Sequence, residues 1–451
     1  MLTSDQKNKI DEIVQEFREA ADFYRMEYSQ DLMGLFRDFG CMLLEVCGAD
    51  PEGDMEDDPQ MRQLFGYRQT LRGTVKRQLT AVSEELAGLR KDPFSGELFQ
   101  AALSEIFHFC LYSKGGKNRY LLPMETAKPL LGLVTRPEGM LSPGDGAMVL
   151  DTQCGAGSTL MAANEYLNDP KLIGYEQDKE MWAAGIIMSR LLNLKMELHL
   201  QDEIPAGLYE SCDLVISNPV YGTDTVKDES LAEGLPAELR TVRGRYHLEL
   251  IRSMQALKYD GKAMLIVPNS FLFANRAESI KVRKWLLQSY SLEAVIALPE
   301  DTFPYSGVRS SVMIFSKPFM SSGWEGHTQR VLYYSLEKQE DKEKQQKEYD
   351  RLEEIWSQRD SYYGKWEQGR REKTVENRNG VKVPANWQYN SFWFAGADEI
   401  EAGKWNLLPE NYRPEEQINL EIEDPALLLQ EMLKEQEEIT KELKELLKEV
   451  G

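Results

Sequence analysis

At 451 residues and 42% hydrophobic content, the chain has the length of about three packed units and enough apolar material for a sizeable core. Its formal charge of −22 argues against a free-standing nucleic-acid binder, because neutralising phosphate takes a basic surface. A role on DNA would need a local basic strip or a partner that does the gripping.

Five scattered cysteines with no CxxC pair, and only four histidines, argue against a zinc site. No run approaches the length of a membrane span, and Met1-Leu2-Thr3-Ser4-Asp5-Gln6 lacks the basic start and apolar stretch of a signal peptide. A soluble, cytoplasmic chain with reduced thiols and no membrane partner is expected.

In chain order, residues 3–47 read as helical: Ser4 or Asp5 can cap, and Ile10, Ile13, Val14, Phe17 and Ala21 recur at helical spacing. A second apolar set, Leu32, Leu35, Phe36, Met42 and Leu43, follows a short break. An acidic, turn-rich linker over 50–58 precedes a third helix expected within 61–90. Residues 1–92 are read as an N-terminal helical packing domain. Helix continues to Phe109, Ser113–Arg119 is expected as a flexible basic loop, and Tyr120-Leu121-Leu122-Pro123 leads into a helix over 124–133.

From Pro143 onward strands and helices alternate. Short, continuously apolar runs at 147–150, 172–175, 196–200, 213–217, 262–267, 292–298 and 311–315 are separated by helical patterns at 158–167, 179–193, 246–258 and 276–288. That alternation predicts an α/β domain over 93–335 with a doubly wound, mostly parallel sheet covered on both faces. The last run follows its predecessor with no helix between, so it is expected antiparallel.

Residues 336–451 form a C-terminal helical and linker region. The segment 336–375 is charged, with Leu352, Ile355 and Trp356 as a thin stripe, and reads as a solvated helix. Five of the eight tryptophans (Trp356, Trp366, Trp387, Trp393 and Trp405) fall here, marking either a docking surface or packing back onto the sheet. Within 426–450, Leu429, Met432, Gln436, Ile439, Leu443, Leu446 and Val450 form a heptad seam. Residues 421–451 carry ten acids against four lysines, so this helix suits another helix rather than phosphate.

Four predicted strand ends carry polar residues. Asp151 leads into Cys154-Gly155-Ala156-Gly157-Ser158, where glycines let backbone approach a ligand. Glu176, roughly twenty residues on, can accept both hydroxyls of a ribose or be a surface acid. Asp202 can accept from the exocyclic amine of an adenine or be equally without a role. The fourth end carries Ser217-Asn218-Pro219-Val220-Tyr221.

Asn218-Pro219-Val220-Tyr221 resembles the Asn-Pro-Pro-Tyr/Phe amino-methyltransferase motif of S-adenosylmethionine-dependent enzymes. The surrounding chain, roughly 95–451, resembles the modification subunit of type I restriction–modification systems, the N6-adenine DNA methylases. Asp151–Ser158 resembles that family's Asp-Pro-Ala-Cys-Gly-Thr-Gly-Gly loop, and Tyr120–Pro123 its aromatic-Thr-Pro segment. Gly261–Phe273, Ile280–Leu287, Leu292–Pro299 and Trp405–Tyr412 are also similar. Val220, Leu122 and Thr152 depart from the family pattern, and the N-terminal region lacks its wording.

The resemblance implies a Rossmann-like, seven-stranded methyltransferase sheet flanked by an N-terminal helical domain and a C-terminal helical tail. It implies that S-adenosyl-L-methionine is held at its methionine end by Tyr120, Pro123, Asp151, Gly155 and Gly157, at its ribose by Glu176 and at its adenine by Asp202. Asn218 and Pro219 oxygens would hold the hydrogens of a flipped adenine's amine while Tyr221 stacks on the base. DNA and a specificity subunit, gripped through the C-terminal helix, are the implied partners; a nuclease subunit and self-association stay open. Two other readings stay open: transfer to another planar amino group, such as protein glutamine or RNA guanine, and a cofactor-binding scaffold. Arg240, Arg243 and Arg245, and Arg276, Lys281, Arg283 and Lys284, are candidate basic grips, the second set reading better as a solvated helix face.

Overall fold

Helices fill the first third because apolar residues there recur at three- and four-residue spacing and little interrupts them. The computed structural model describes residues 3–29, 31–49, 58–113, 119–135, 146–201, 204–219, 235–303, 307–318 and 328–414. Helix α1 (Ser4–Glu27) starts with a capping box from Thr3 and Gln6, so the cap is Thr3 rather than Ser4 or Asp5. Helix α2 (Met33–Val46) is apolar nearly all round and lies buried. Where a third helix is expected within 61–90 there are two, α3 (Pro59–Tyr67) and α4 (Gly73–Lys91); the chain is extended at Arg68 and Arg72 between them. Helices α5 (Gly96–Leu111) and α6 (Met124–Thr135) complete the run-in to the sheet.

All seven expected strand runs form: β1 (Met148–Asp151), β2 (Lys171–Glu176), β3 (Met196–Leu200), β4 (Cys212–Ser217), β5 (Leu257–Pro268), β6 (Ser291–Ala297) and β7 (Ser310–Ser316). Between them run α7 (Ser158–Asn164), α8 (Lys179–Leu191), α9 (Arg245–Ala256), α10 (Asn269–Phe273) and α11 (Ala277–Ser289). Strand β7 pairs antiparallel with both β5 and β6, as expected for a strand reached without a helix.

The sheet then continues beyond those seven. Strand β8 (Arg330–Ser335) pairs parallel with β6. After α12 (Lys342–Ser357), α13 (Arg359–Glu372) and a small hairpin of β9 (Thr374–Glu376) and β10 (Lys382–Pro384), strand β11 (Phe392–Gly396) pairs antiparallel with β8. Helix α14 (Ala397–Ala402) follows it. The order across the nine-stranded sheet is β11-β8-β6-β7-β5-β4-β1-β2-β3.

Different parts of the chain pack toward the two ends of the sheet. Helix α2 packs on α8 closely enough that a Cβ at Gly40 would lie 2.5 Å from Ile187 Cδ1. The same contact carries ions: Arg37 of α2 bridges Asp38 and, at 2.7 Å, Glu180 of α8. At the other end the late tryptophans pack inward. Trp356, Trp366 and Trp393 are buried, and Trp387 and Trp405 are half-buried against the same core. Trp387 donates to the Phe392 carbonyl and Trp393 to that of Pro409, so indole N–H groups taken from water find acceptors.

Two charged expectations change. Arg283 is no grip and no part of a solvated face: it is fully buried and donates to the carbonyls of Trp405, Phe271 and Ala274, fastening Trp405 to α10. Arg119, counted in a flexible basic loop, is 5% exposed and ion-paired. Residues 114–118 of that loop and the heptad helix over 426–450 lie outside the described residues. Among the described residues no helix is long and apolar enough to cross a membrane.

Candidate functional site

Strand order reverses between β1 and β4, which lie side by side although β2 and β3 separate them in sequence. In an open sheet the loops leaving two such strands diverge to opposite faces and leave a crevice at their carboxyl ends. Asp151 ends β1 and Asn218 follows β4, so both rim this crevice. A hydrogen bond of 3.1 Å from Thr152 N to Ile216 O ties the two strand ends together.

The turn after β1 is shaped by its glycines. Gly155 and Gly157 have φ of 56° and 81°, where a side chain is strained, and a Cβ on Gly155 would overlap Leu121. Asp151, 1% exposed, accepts from Thr159 Oγ1 and from Gln153 N at 3.1 Å. Burial, against those two donors, pushes its carboxyl up to about 6. Among the described residues no cation pairs with it.

Glu176 ends β2 and leans back over the turn. One oxygen accepts from Gly155 N at 2.9 Å and the other from Asp178 N at 2.6 Å. Each carboxylate oxygen keeps a lone pair for a further donor, as a ribose diol needs. Burial, helped by the nearby Asp178 and Asp151 charges, pushes Glu176 up to about 7 despite the two amide donors.

Asn218 is oriented by the segment 119–123. Its Nδ2 donates to the Tyr120 carbonyl at 2.9 Å. A carbonyl only accepts, so the amide nitrogen must face Tyr120 and Oδ1 is turned the other way, free to accept. Tyr120, Pro123, Asp151, Gly155, Gly157, Glu176, Asn218 and Pro219 are thus placed around one sheet edge. Asp202, Val220 and Tyr221 lie outside the described residues.

Sequence reasoning passed over a layer behind this edge. Hydrogen bonds of 2.9 to 3.1 Å link the hydroxyls of Thr152, Ser217 and Ser253 and the side-chain oxygen of Gln153. Thr152, a departure from the family pattern, is therefore a member of a buried polar cluster that joins β1, β4 and α9. The signal was faint: Ser217 directly precedes Asn218, but nothing in the sequence points to Ser253. Arg119 likewise shows its role only through partners distant in sequence, Asp31 and Asp178.

Residues 112–420 match the sequence model of the N-6 DNA Methylase family. Type II methyltransferase M.HincII of Haemophilus influenzae is 26% identical over 208 residues, 44% of this chain and 36% of that protein, so the match takes in about a third of its length. The crystal structure of a type I restriction–modification system methyltransferase subunit from Streptococcus thermophilus superposes with a TM-score of 0.62 at 16% identity, covering 90% of this chain and all (100%) of that one. A chain from a study of complex assembly and conformational transition in the type I R-M system gives 0.61 at 18% identity, over 99% of this chain and 98% of that one. These likenesses establish the methyltransferase fold.

Proposed function

Since the chain belongs to the N-6 DNA methylase family, we propose that it transfers a methyl group from S-adenosyl-L-methionine to the exocyclic N6 of a flipped adenine in DNA. In this reading it serves as the modification subunit of a type I-like restriction–modification or defence system. The observation that carries the assignment is the enforced orientation of Asn218: its amide nitrogen is committed to Tyr120 and its oxygen is left to accept.

An exocyclic amine conjugated to a purine is a poor nucleophile because its lone pair is delocalised into the ring. Asn218 Oδ1 and the Pro219 carbonyl would each take one amine hydrogen and favour a pyramidal nitrogen whose lone pair points at the incoming methyl. Neutral acceptors suffice, because the methylated, cationic nitrogen sheds a proton readily. Alignment then supplies most of the rate. S-adenosylmethionine, when bound, contributes a sulfonium methyl. Asp151 fits its ammonium, the glycine turn its methionine backbone and Glu176 its ribose diol, with Asp202 assigned to its adenine and Tyr221 to stacking on the target base. Position 220 contributes no side chain to this scheme, although valine there gives up proline's rigidity.

A base inside a duplex cannot reach such a crevice, so the adenine has to be extruded. The acidic chain would leave sequence reading, and much of the phosphate grip, to a specificity subunit held through the heptad helix over 426–450, with a nuclease subunit and self-association as further assembly states. The test is the mass-spectrometric content of N6-methyladenine in DNA from cells with and without the gene. Extra N6-methyladenine that depends on the gene is expected. Unchanged DNA, with new methylation on protein glutamine or RNA guanine instead, would overturn the substrate assignment.

A further inference from the structure

The segment from Arg119 to Pro123 touches both the glycine turn after β1 and Asn218 after β4. The Tyr120 carbonyl takes Asn218 Nδ2 at 2.9 Å. Leu121 fills the space a side chain on Gly155 would occupy. The Leu122 carbonyl accepts from Ser158 Oγ at 3.3 Å. The Pro123 carbonyl accepts from Ala127 N at 2.8 Å and so begins α6. This strap lies across the cofactor turn and the catalytic motif at once.

Its N-terminal end is held from elsewhere. Arg119 donates through both terminal nitrogens to the two oxygens of Asp31, at 3.0 Å each, and through Nε to Asp178 at 3.1 Å. Asp31 lies between α1 and α2, and its carboxylate also takes Met33 N at 3.1 Å at the start of α2. Asp178 caps α8, and its own N–H is one of the two donors to Glu176. A fork-shaped, nearly buried guanidinium thus joins the helical layer, the strap and the residue next to the ribose-binding carboxylate.

We propose that Asp31 and Arg119 are positioning residues: through them the N-terminal helical layer sets the strap, and the strap sets both the cofactor turn and the Asn218 amide. The inference rests on the function proposed above and assigns that layer a part in transfer. Neither side chain touches substrate or cofactor; both act through Tyr120, Leu121 and Asp178. A lysine at 119 would keep the charge but lose the two-carboxylate fork.

A second ion pair between the same layers provides the control. Arg37 of α2 meets Glu180 of α8 at 2.7 Å, and among the described residues neither side chain hydrogen-bonds to the strap. The experiment compares the full-length wild type with Asp31→Asn, Arg119→Lys and Glu180→Gln. It measures S-adenosylmethionine affinity by isothermal titration, thermal melting, and single-turnover transfer to a duplex bearing an unpaired adenine. Asp31→Asn and Arg119→Lys are expected to weaken cofactor affinity and to slow transfer by about tenfold or more each. Glu180→Gln, at a similar loss of melting temperature, is expected to leave both within about twofold. Equal effects from all three variants, or wild-type affinity in Asp31→Asn and Arg119→Lys, would overturn the inference while leaving the proposed function standing. A wild type that binds no S-adenosylmethionine would instead overturn that function, and the inference with it.

Discussion

Two carboxyl groups decide how the site responds to pH. Asp151 and Glu176 are held at about 6 and about 7, above their ordinary values of 3.8 and 4.5, chiefly because burial penalises the charged form. With the folded-state value raised, the native state binds more protons than the unfolded chain over this window. Their contribution to stability is therefore fully present below pH 4 and lost as pH rises through 6 and 7. In the proposed function, a cofactor ammonium beside Asp151 and ribose hydroxyls on Glu176 would favour the ionised forms. Affinity for S-adenosylmethionine should accordingly rise between pH 5.5 and pH 8, and the melting-point increase it confers should grow with it. Titration calorimetry across that range checks this; affinity that is flat, or falls with pH, would remove these carboxylates from the binding site.

At the scale of elements, much of the sheet was legible because the physics is local. Val149-Leu150, Leu214-Val215-Ile216 and Met264-Leu265-Ile266 are short apolar runs between helical patterns, and each became a central strand. The antiparallel β7 was legible for a topological reason: a loop without a helix cannot return the chain to start a parallel strand. Strand β8 was passed over because it sits in charged surroundings, and β11 because it lies beyond the charged stretch 336–375. Val331-Leu332-Tyr333-Tyr334 and Phe392-Trp393-Phe394-Ala395 are nonetheless runs of the same kind. What could not be read was pairing between distant charged residues: Arg283 looks like any surface arginine until Trp405, Phe271 and Ala274 present it with carbonyls. Gly40 gives a test at this scale. Alanine gains up to about 1 kcal/mol of helix propensity. Its methyl would press on Ile187 across the α2–α8 contact, at a cost of about 1–3 kcal/mol or more. Urea denaturation of Gly40→Ala should show a net loss of stability; a gain would mean the two helices separate freely.

Over the whole molecule, one crevice at a strand-order reversal gathers residues from β1, β2, β4 and the segment before α6, while helices packed on α8 hold that segment in place. The candidate residues on strand ends could be found from sequence because motifs there are contiguous. The Asp31–Arg119–Asp178 support could not, since it joins positions far apart in the chain. With a net charge of −22, the proposed action on DNA calls for a local basic strip or a partner that does the gripping. The central claim is that the Asn218 amide oxygen holds the reacting amine while taking no part in cofactor binding. It is tested most directly by measuring single-turnover methyl transfer and S-adenosylmethionine affinity side by side in Asn218→Ala. The account predicts transfer slowed by about 100-fold to 1,000-fold or more, with affinity within about threefold of wild type. Transfer at the wild-type rate, or affinity lost in proportion to rate, would contradict it.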